Sequence, residues 1–94
     1  MVTYEGHDGF CDVTAFDRWV ISARGTELIF EDVRYNLDTI RIYRFSDAII
    51  KYEGSGDHKD GAPVEINVEC RTGKTLDQIC SSLVKRFPRL VCVD

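Results

Sequence analysis

The sequence predicts an α+β domain: an antiparallel sheet of five or six strands, one C-terminal amphipathic helix at about residues 75–87 packed on one face, and a short final strand. Three observations carry this. "TLDQICSSLVKRF" repeats apolar residues at helical spacing, "PVEINVECR" alternates apolar and polar residues, and three further β-rich runs precede it with no helical segment between them. Four strands in succession make a meander the simplest topology.

Within the helical segment, Leu76, Ile79, Cys80, Leu83, Val84 and Phe87 form one apolar face. Thr75 with Gln78 has the pattern of a capping box, Lys85 and Arg86 suit the negative end of the helix dipole, and Pro88 stops the helix. In the strand before it, Val64, Ile66, Val68 and Cys70 alternate with Glu65, Asn67, Glu69 and Arg71, as expected when one face is buried and the other wet. "RLVCV" reads as the short final strand.

Upstream, "ELIFEDVRY", "TIRIYRF" and "DAIIKYE" read as three strands, with turn residues at Asn36 to Asp38 and at Ser46 and Asp47. The segment "CDVTAFDRWVISARG" fits two structures. As a strand, "WVISAR" is rich in β-branched residues and joins the next strand through Gly25 and Thr26, a pair suited to a tight hairpin; this is the preferred reading. As a helix, Asp12 caps it, Val13, Phe16, Val20 and Ala23 form a stripe, and Gly25 ends it.

Ninety-four residues read as a single domain, 1–94, with 44% hydrophobic and 30% charged residues as in a folded, water-exposed globule. No apolar run approaches the roughly 20 residues of a membrane span, and no basic segment followed by an apolar one opens the chain, so a cytoplasmic location is expected. The cysteines Cys11, Cys70, Cys80 and Cys92 lack paired short spacing, which favours free thiols over a disulfide framework or a zinc knuckle. The net charge of −4 lies in the first half, where nine acids meet five bases, all arginine. That balance argues against direct binding to nucleic acid, whose affinity rests on neutralising phosphates.

Three segments imitate sites. "YEGSGDHKDGAP" (52–63) gathers Glu53, Asp57, His58 and Asp60 among glycines, and "YEGHDG" (4–9) is a shorter relative. A calcium loop counted from Asp57 would have Lys59 and Gly61 where acids belong, and a phosphate loop would be repelled by Asp57 and Asp60. Both are read as connections, with a metal site shared by His7 and His58 as the minor alternative. "TGKT" (72–75) lies between strand and helix, but a P-loop needs a glycine at Val68. A capped strand-to-helix turn is the reading, with weak anion binding at the helix start as the alternative. Nucleophilic catalysis needs a base beside Ser or Cys, and neither histidine lies near one in the predicted core.

The remaining feature is "RYNLDTIRIYRF". Alternation sends Arg41, Tyr43 and Phe45 to one face, with Arg34 and Tyr35 on the neighbouring strand and Ile40 and Ile42 opposite. Arginine and tyrosine are enriched at the energetic centres of interfaces, which makes Arg34, Tyr35, Arg41, Tyr43 and Phe45 the candidate partner-binding residues on a solvated face. The expected function is a small non-enzymatic binding protein, a stoichiometric inhibitor or immunity factor such as a phage-encoded inhibitor of a bacterial defence system. Its partner is a larger protein or complex, no membrane, cofactor or metal is expected, and a homodimer through an edge strand is an allowed alternative. A ligand or nucleotide sponge and a metal-dependent hydrolase are the other classes. On this reading, Arg41→Glu with Tyr43→Ala abolishes partner binding and leaves the thermal midpoint almost unchanged.

Overall fold

The computed structural model describes residues 1–7, 9–24, 29–35, 38–55 and 62–93, with backbone alone at 29–35, 38 and 55. The fold is α+β, with strands β1 (Val2–His7), β2 (Ile29–Tyr35), β3 (Asp38–Arg44), β4 (Ala48–Ser55), β5 (Pro63–Cys70) and β6 (Val91–Cys92). Helix α1 (Val13–Arg24) lies between β1 and β2, and α2 (Gly73–Arg86) between β5 and β6. The strands form one antiparallel sheet in the order β2-β3-β4-β5-β1-β6.

The expected meander is there as β2 to β5, joined by a strand that the sequence reading passed over. β1 enters between β5 and β6, with Thr3 opposite Asn67 and Tyr4 opposite both Ile66 and Cys92. Because β5 and β6 both run antiparallel to β1, they are parallel to each other, and α2 carries the chain across β1 between them. A Cβ at Gly6 would stand 2.7 Å from Leu90 Cδ2, so glycine lets the Leu90 side chain close over β1 without shifting its tip.

The segment at 12–24 is a helix, not the preferred strand. Asp12 supplies the cap, its Oδ1 accepting from the Ala15 amide at 2.8 Å and its carbonyl from the Phe16 amide at 2.9 Å. The tertiary reason is topological. β1 and β2 stand four strand spacings apart, about 19 Å at ~4.8 Å each, and a 12-residue helix is about 18 Å long. α1 therefore spans the sheet, which a strand paired in a hairpin with β2 would not do. Its buried side chains are Phe16, Trp19 and Val20, while Ala23 is exposed.

α2 starts two residues earlier than expected, and its cap is Thr72, not Thr75. The Thr72 hydroxyl accepts from the Thr75 amide at 3.2 Å and donates to Thr75 Oγ1 at 3.0 Å. Ile79, Leu83 and Phe87 are buried and Leu76 and Cys80 are packed at the core's edge, as the apolar stripe requires, but Val84 is exposed. The chain leaves the helix at Phe87, whose amide bonds Leu83 O at 2.8 Å, just before Pro88.

Phe16 is the centre of the core. It is fully buried, and its ring lies 5.0 Å from Tyr52, 5.3 Å from Trp19, 5.8 Å from Tyr43 and 6.3 Å from Phe87. One side chain thus joins α1, β3, β4 and the end of α2. Trp19 Nε1 donates to Ser82 Oγ at 3.0 Å and ties the two helices together, and the Tyr52 hydroxyl donates to Cys11 O at 2.9 Å under the start of α1. Phe16→Ala is expected to lower the unfolding free energy by roughly 3–5 kcal/mol in urea titrations, against ~1 kcal/mol for Ser82→Ala, which removes a single part-buried hydrogen bond.

Candidate functional site

Side-chain alternation decides which face of the sheet the helices cover. Tyr4, Tyr43, Ala48, Ile50, Tyr52, Val64, Ile66 and Val68 are all buried on one side, where α1 and α2 lie. The intervening residues of β1, β3, β4 and β5 face the other way, and no described element packs on them.

This reverses the expected placement of the arginine–tyrosine patch. Arg41, Tyr43 and Phe45 lie on the helix side. Tyr43 is a core residue with no exposed surface, in contact with Phe16, and its hydroxyl donates to Asp17 Oδ1 on α1 at 3.0 Å. Arg41 Nη1 reaches the same carboxylate oxygen at 3.5 Å. Phe45 is half-buried beneath the Arg24 guanidinium, 4.9 Å from its ring centroid, and Arg24 in turn pairs with Asp47. These residues fasten α1 to the sheet. Of the other two candidates, Arg34 pairs with Thr39 and Tyr35 with Asp38 along β2, and their side chains lie outside the described residues. The reason for the reversal is α1 itself: with a strand at 12–24, nothing would have covered this end of the sheet. Tyr43→Ala is consequently a core truncation, so the double variant with Arg41→Glu measures stability and cannot isolate binding.

The uncovered face has two halves. On β3 and β4 stand Ile40, Ile42 and Ile49, with Ile49 36% exposed, beside Arg44 and Lys51. On β1 and β5 stand Thr3, Glu5, Glu65, Asn67 and Glu69. The register sets Glu5 opposite Glu65, Glu65 opposite Glu53 and Glu53 opposite Ile40, so three carboxylates cross the sheet in one row and end at an isoleucine. Carboxylates directly opposite one another repel. Two neighbours offset this: Asn67 Nδ2 donates to Glu65 Oε1 at 3.3 Å, itself held by Thr3 Oγ1 on Asn67 Oδ1 at 2.8 Å, and Lys51 Nζ lies 3.5 Å from Glu53 Oε2.

Along the three glutamates of this row a cleft of about 790 Å³ opens, lined among others by Glu5, His7, Phe10, Glu53, Glu65 and Arg89. The His7 ring meets the Phe10 edge at 5.7 Å, and Arg89 lies 4.8 Å over the Phe10 ring. The alternative metal site cannot be followed, because His58 lies outside the described residues. Among the described residues no group of three or more His, Cys, Asp and Glu is placed to hold a metal ion. The Thr75 amide, where an anion at the helix start would bind, is already taken by Thr72.

Burial disfavours the thiolate form of three of the cysteines. Burial pushes Cys11 up to about 12, with Asp12 adding to the rise and Arg86 opposing it, and burial likewise raises Cys70 and Cys80. Comparison of the chain with protein-family models, with curated proteins and with solved structures finds no match. No helix among the described residues is long and apolar enough to cross a membrane.

Burial also raises the Tyr43 hydroxyl, and with Cys11 it fixes an alkaline limit to stability. Above pH 9 the unfolded chain releases the Cys11 proton while the folded protein keeps it to about 12, so the unfolded state binds fewer protons. The stabilisation is complete below pH 9 and is lost as pH rises towards 12, at up to about 1.4 kcal/mol per pH unit for each such group. Urea midpoints between pH 8 and 11 are expected to fall in the wild type, and less steeply in Cys11→Ala.

Proposed function

We propose that this chain is a small non-enzymatic protein-binding protein, a stoichiometric inhibitor or immunity factor that works by occupying the surface of a larger protein. The observation that carries this reading is the face of the sheet opposite α1 and α2, where apolar and charged side chains interleave: Ile40 stands opposite Glu53, Ile42 opposite Lys51 and Ile49 opposite Arg44, beside the Glu5–Glu65–Glu53 row. An uncovered face that interleaves apolar area with charges of both signs suits a partner of complementary pattern, which such charges select and orient. The row of carboxylates asks for basic groups on the partner, and the isoleucines ask for an apolar patch beside them.

The size of the face fits one partner. Four strands at ~4.8 Å and about six residues at ~3.3 Å make a rectangle of roughly 19 by 20 Å, on the order of 400 Å². A standard interface takes about 800 Å² from each partner, so the face supplies about half and the adjoining strand ends the rest. The sheet ends at β2, whose outer side pairs with no described strand. Self-association through that edge is the competing use of the surface.

The test is affinity capture of the tagged protein from lysate of its native host, after nuclease treatment, with wild type, Ile42→Asp and Ile49→Asp in parallel. The expected result is one protein at fixed stoichiometry by native mass spectrometry, bound at least tenfold more weakly by both variants, with the folding free energy of each changed by no more than about 1 kcal/mol. Equal capture by wild type and variants would overturn the assignment of this face, and a native mass of two copies alone would replace it with self-association.

A small-ligand protein is the second reading, favoured by the cleft between Phe10 and the glutamate row, which is within the ~300–1,000 Å³ of ligand sites. Its carboxylates suit a cationic ligand and disfavour a nucleotide. A rise in melting temperature with a cationic metabolite, with no captured protein, is the outcome that would select it.

A further inference from the structure

Two of the four cysteines flank one side chain. Cys92 in β6 stands directly opposite Tyr4 in β1, and residues opposed in an antiparallel pair point to the same side of the sheet. Tyr4 is buried on the helix side, so Cys92 faces that side too. Cys80 comes down from α2 to the same residue: Tyr4 hydrogen-bonds its sulfur, and Tyr4 and Cys80 line one surface depression together. Cys92 lies within electrostatic reach of Cys80.

Cys70 also lies within reach of Cys80 but at a different level of the sheet. Tyr4 is opposite Ile66, and Cys70 is four residues further along β5, about 13 Å away at ~3.3 Å per residue. Cys92 is on the adjacent strand at the level of Tyr4 itself. It is exposed and sits in a two-residue strand held by two register pairs, so it has access to solvent and few contacts that would resist the adjustment a disulfide geometry requires.

We propose that Cys80 and Cys92 form a reversible disulfide that fastens β6 to α2 when the protein meets a low-molecular-weight disulfide such as oxidised glutathione. The Cys92 thiolate attacks one sulfur of the oxidant and expels a thiolate, giving a mixed disulfide on the exposed residue. The Cys80 thiolate then attacks Cys92 Sγ and expels the second thiolate. The two protein thiols lose two electrons, the oxidant gains them, and the two protons pass to the released thiolates. Burial holds the Cys80 thiol protonated, and the Tyr4 hydrogen bond, which favours its thiolate, opposes that. The second step is therefore the slower one at neutral pH.

The experiment incubates the full chain with oxidised glutathione and reads intact mass, peptide maps and thermal midpoint. The expected product is monomeric, lighter by two hydrogen masses, with the peptides containing Cys80 and Cys92 linked. Its thermal midpoint is higher by ~5 °C or more, and dithiothreitol reverses both changes. Cys92→Ser, a change at an exposed position, should lose the mass change and the thermal shift together. Cys80→Ser should stop at a stable glutathione adduct on Cys92. A wild-type protein that keeps a glutathione adduct on Cys92, dimerises through Cys92, or links Cys80 to Cys70 would overturn the proposal.

Discussion

The ring of Phe16 holds the two layers of this protein together. It reaches Tyr43 and Tyr52 in the sheet, Trp19 on its own helix and Phe87 at the end of the second. In a core of this size few other residues join as many elements, and the polar tips of its neighbours are arranged so that the cluster can be dry. Tyr43 gives its hydroxyl to Asp17, Tyr52 to Cys11 O and Trp19 its indole N–H to Ser82, so three amphipathic aromatics are buried without an unmet donor. The aromatic choice matters because a helix laid across a sheet leaves a gap that aliphatic side chains of one size would fill poorly.

That same packing decides where a surface is free. With both helices on one side, a sheet of this kind has to present its other side to solvent or to a partner, and an antiparallel sheet tolerates this because alternate residues are chosen independently. Here the choice is mixed. Thr3, Asn67 and the glutamates are ordinary solvent-facing residues, whereas on β3 and β4 Ile40, Ile42 and Ile49 interleave with Glu53, Lys51 and Arg44.

The C-terminal helix, the alternating β5 strand and the meander were legible because each carries its own period over many residues. β1 was written just as plainly, in the alternation of Val2, Thr3, Tyr4 and Glu5, but its glycine and histidine drew attention as a loop. Residues 12–24 were not legible from propensity, since Trp19, Val20 and Ile21 favour a strand. The helix prevails through the Asp12 cap and through the distance the chain must cover between β1 and β2, and that distance is a property of the whole sheet. The misreading of Arg41, Tyr43 and Phe45 followed from this one element. Alternation correctly separated them from Ile40 and Ile42 but could not say which set would be covered, because the cover is α1. The glutamate row was hidden for a similar reason: Glu5, Glu53 and Glu65 are far apart in sequence, and only the register aligns them.

The position of β1 has a consequence for how the chain acquires this structure. Its hydrogen-bonding partners on β5 lie some sixty residues further on, so during synthesis β1 waits, unpaired, until nearly all the residues described here have been made. Closing so long a loop late is slow compared with forming local hairpins. The β2–β5 meander, whose contacts are between sequence neighbours, is the part that can assemble first, leaving the outer side of β5 as an open seat. For that interval the nascent protein is a sheet with a vacancy, and any strand that reaches the vacancy before β1 does, whether from a second copy or from a chaperone, competes for the place the N-terminal strand occupies in the finished molecule.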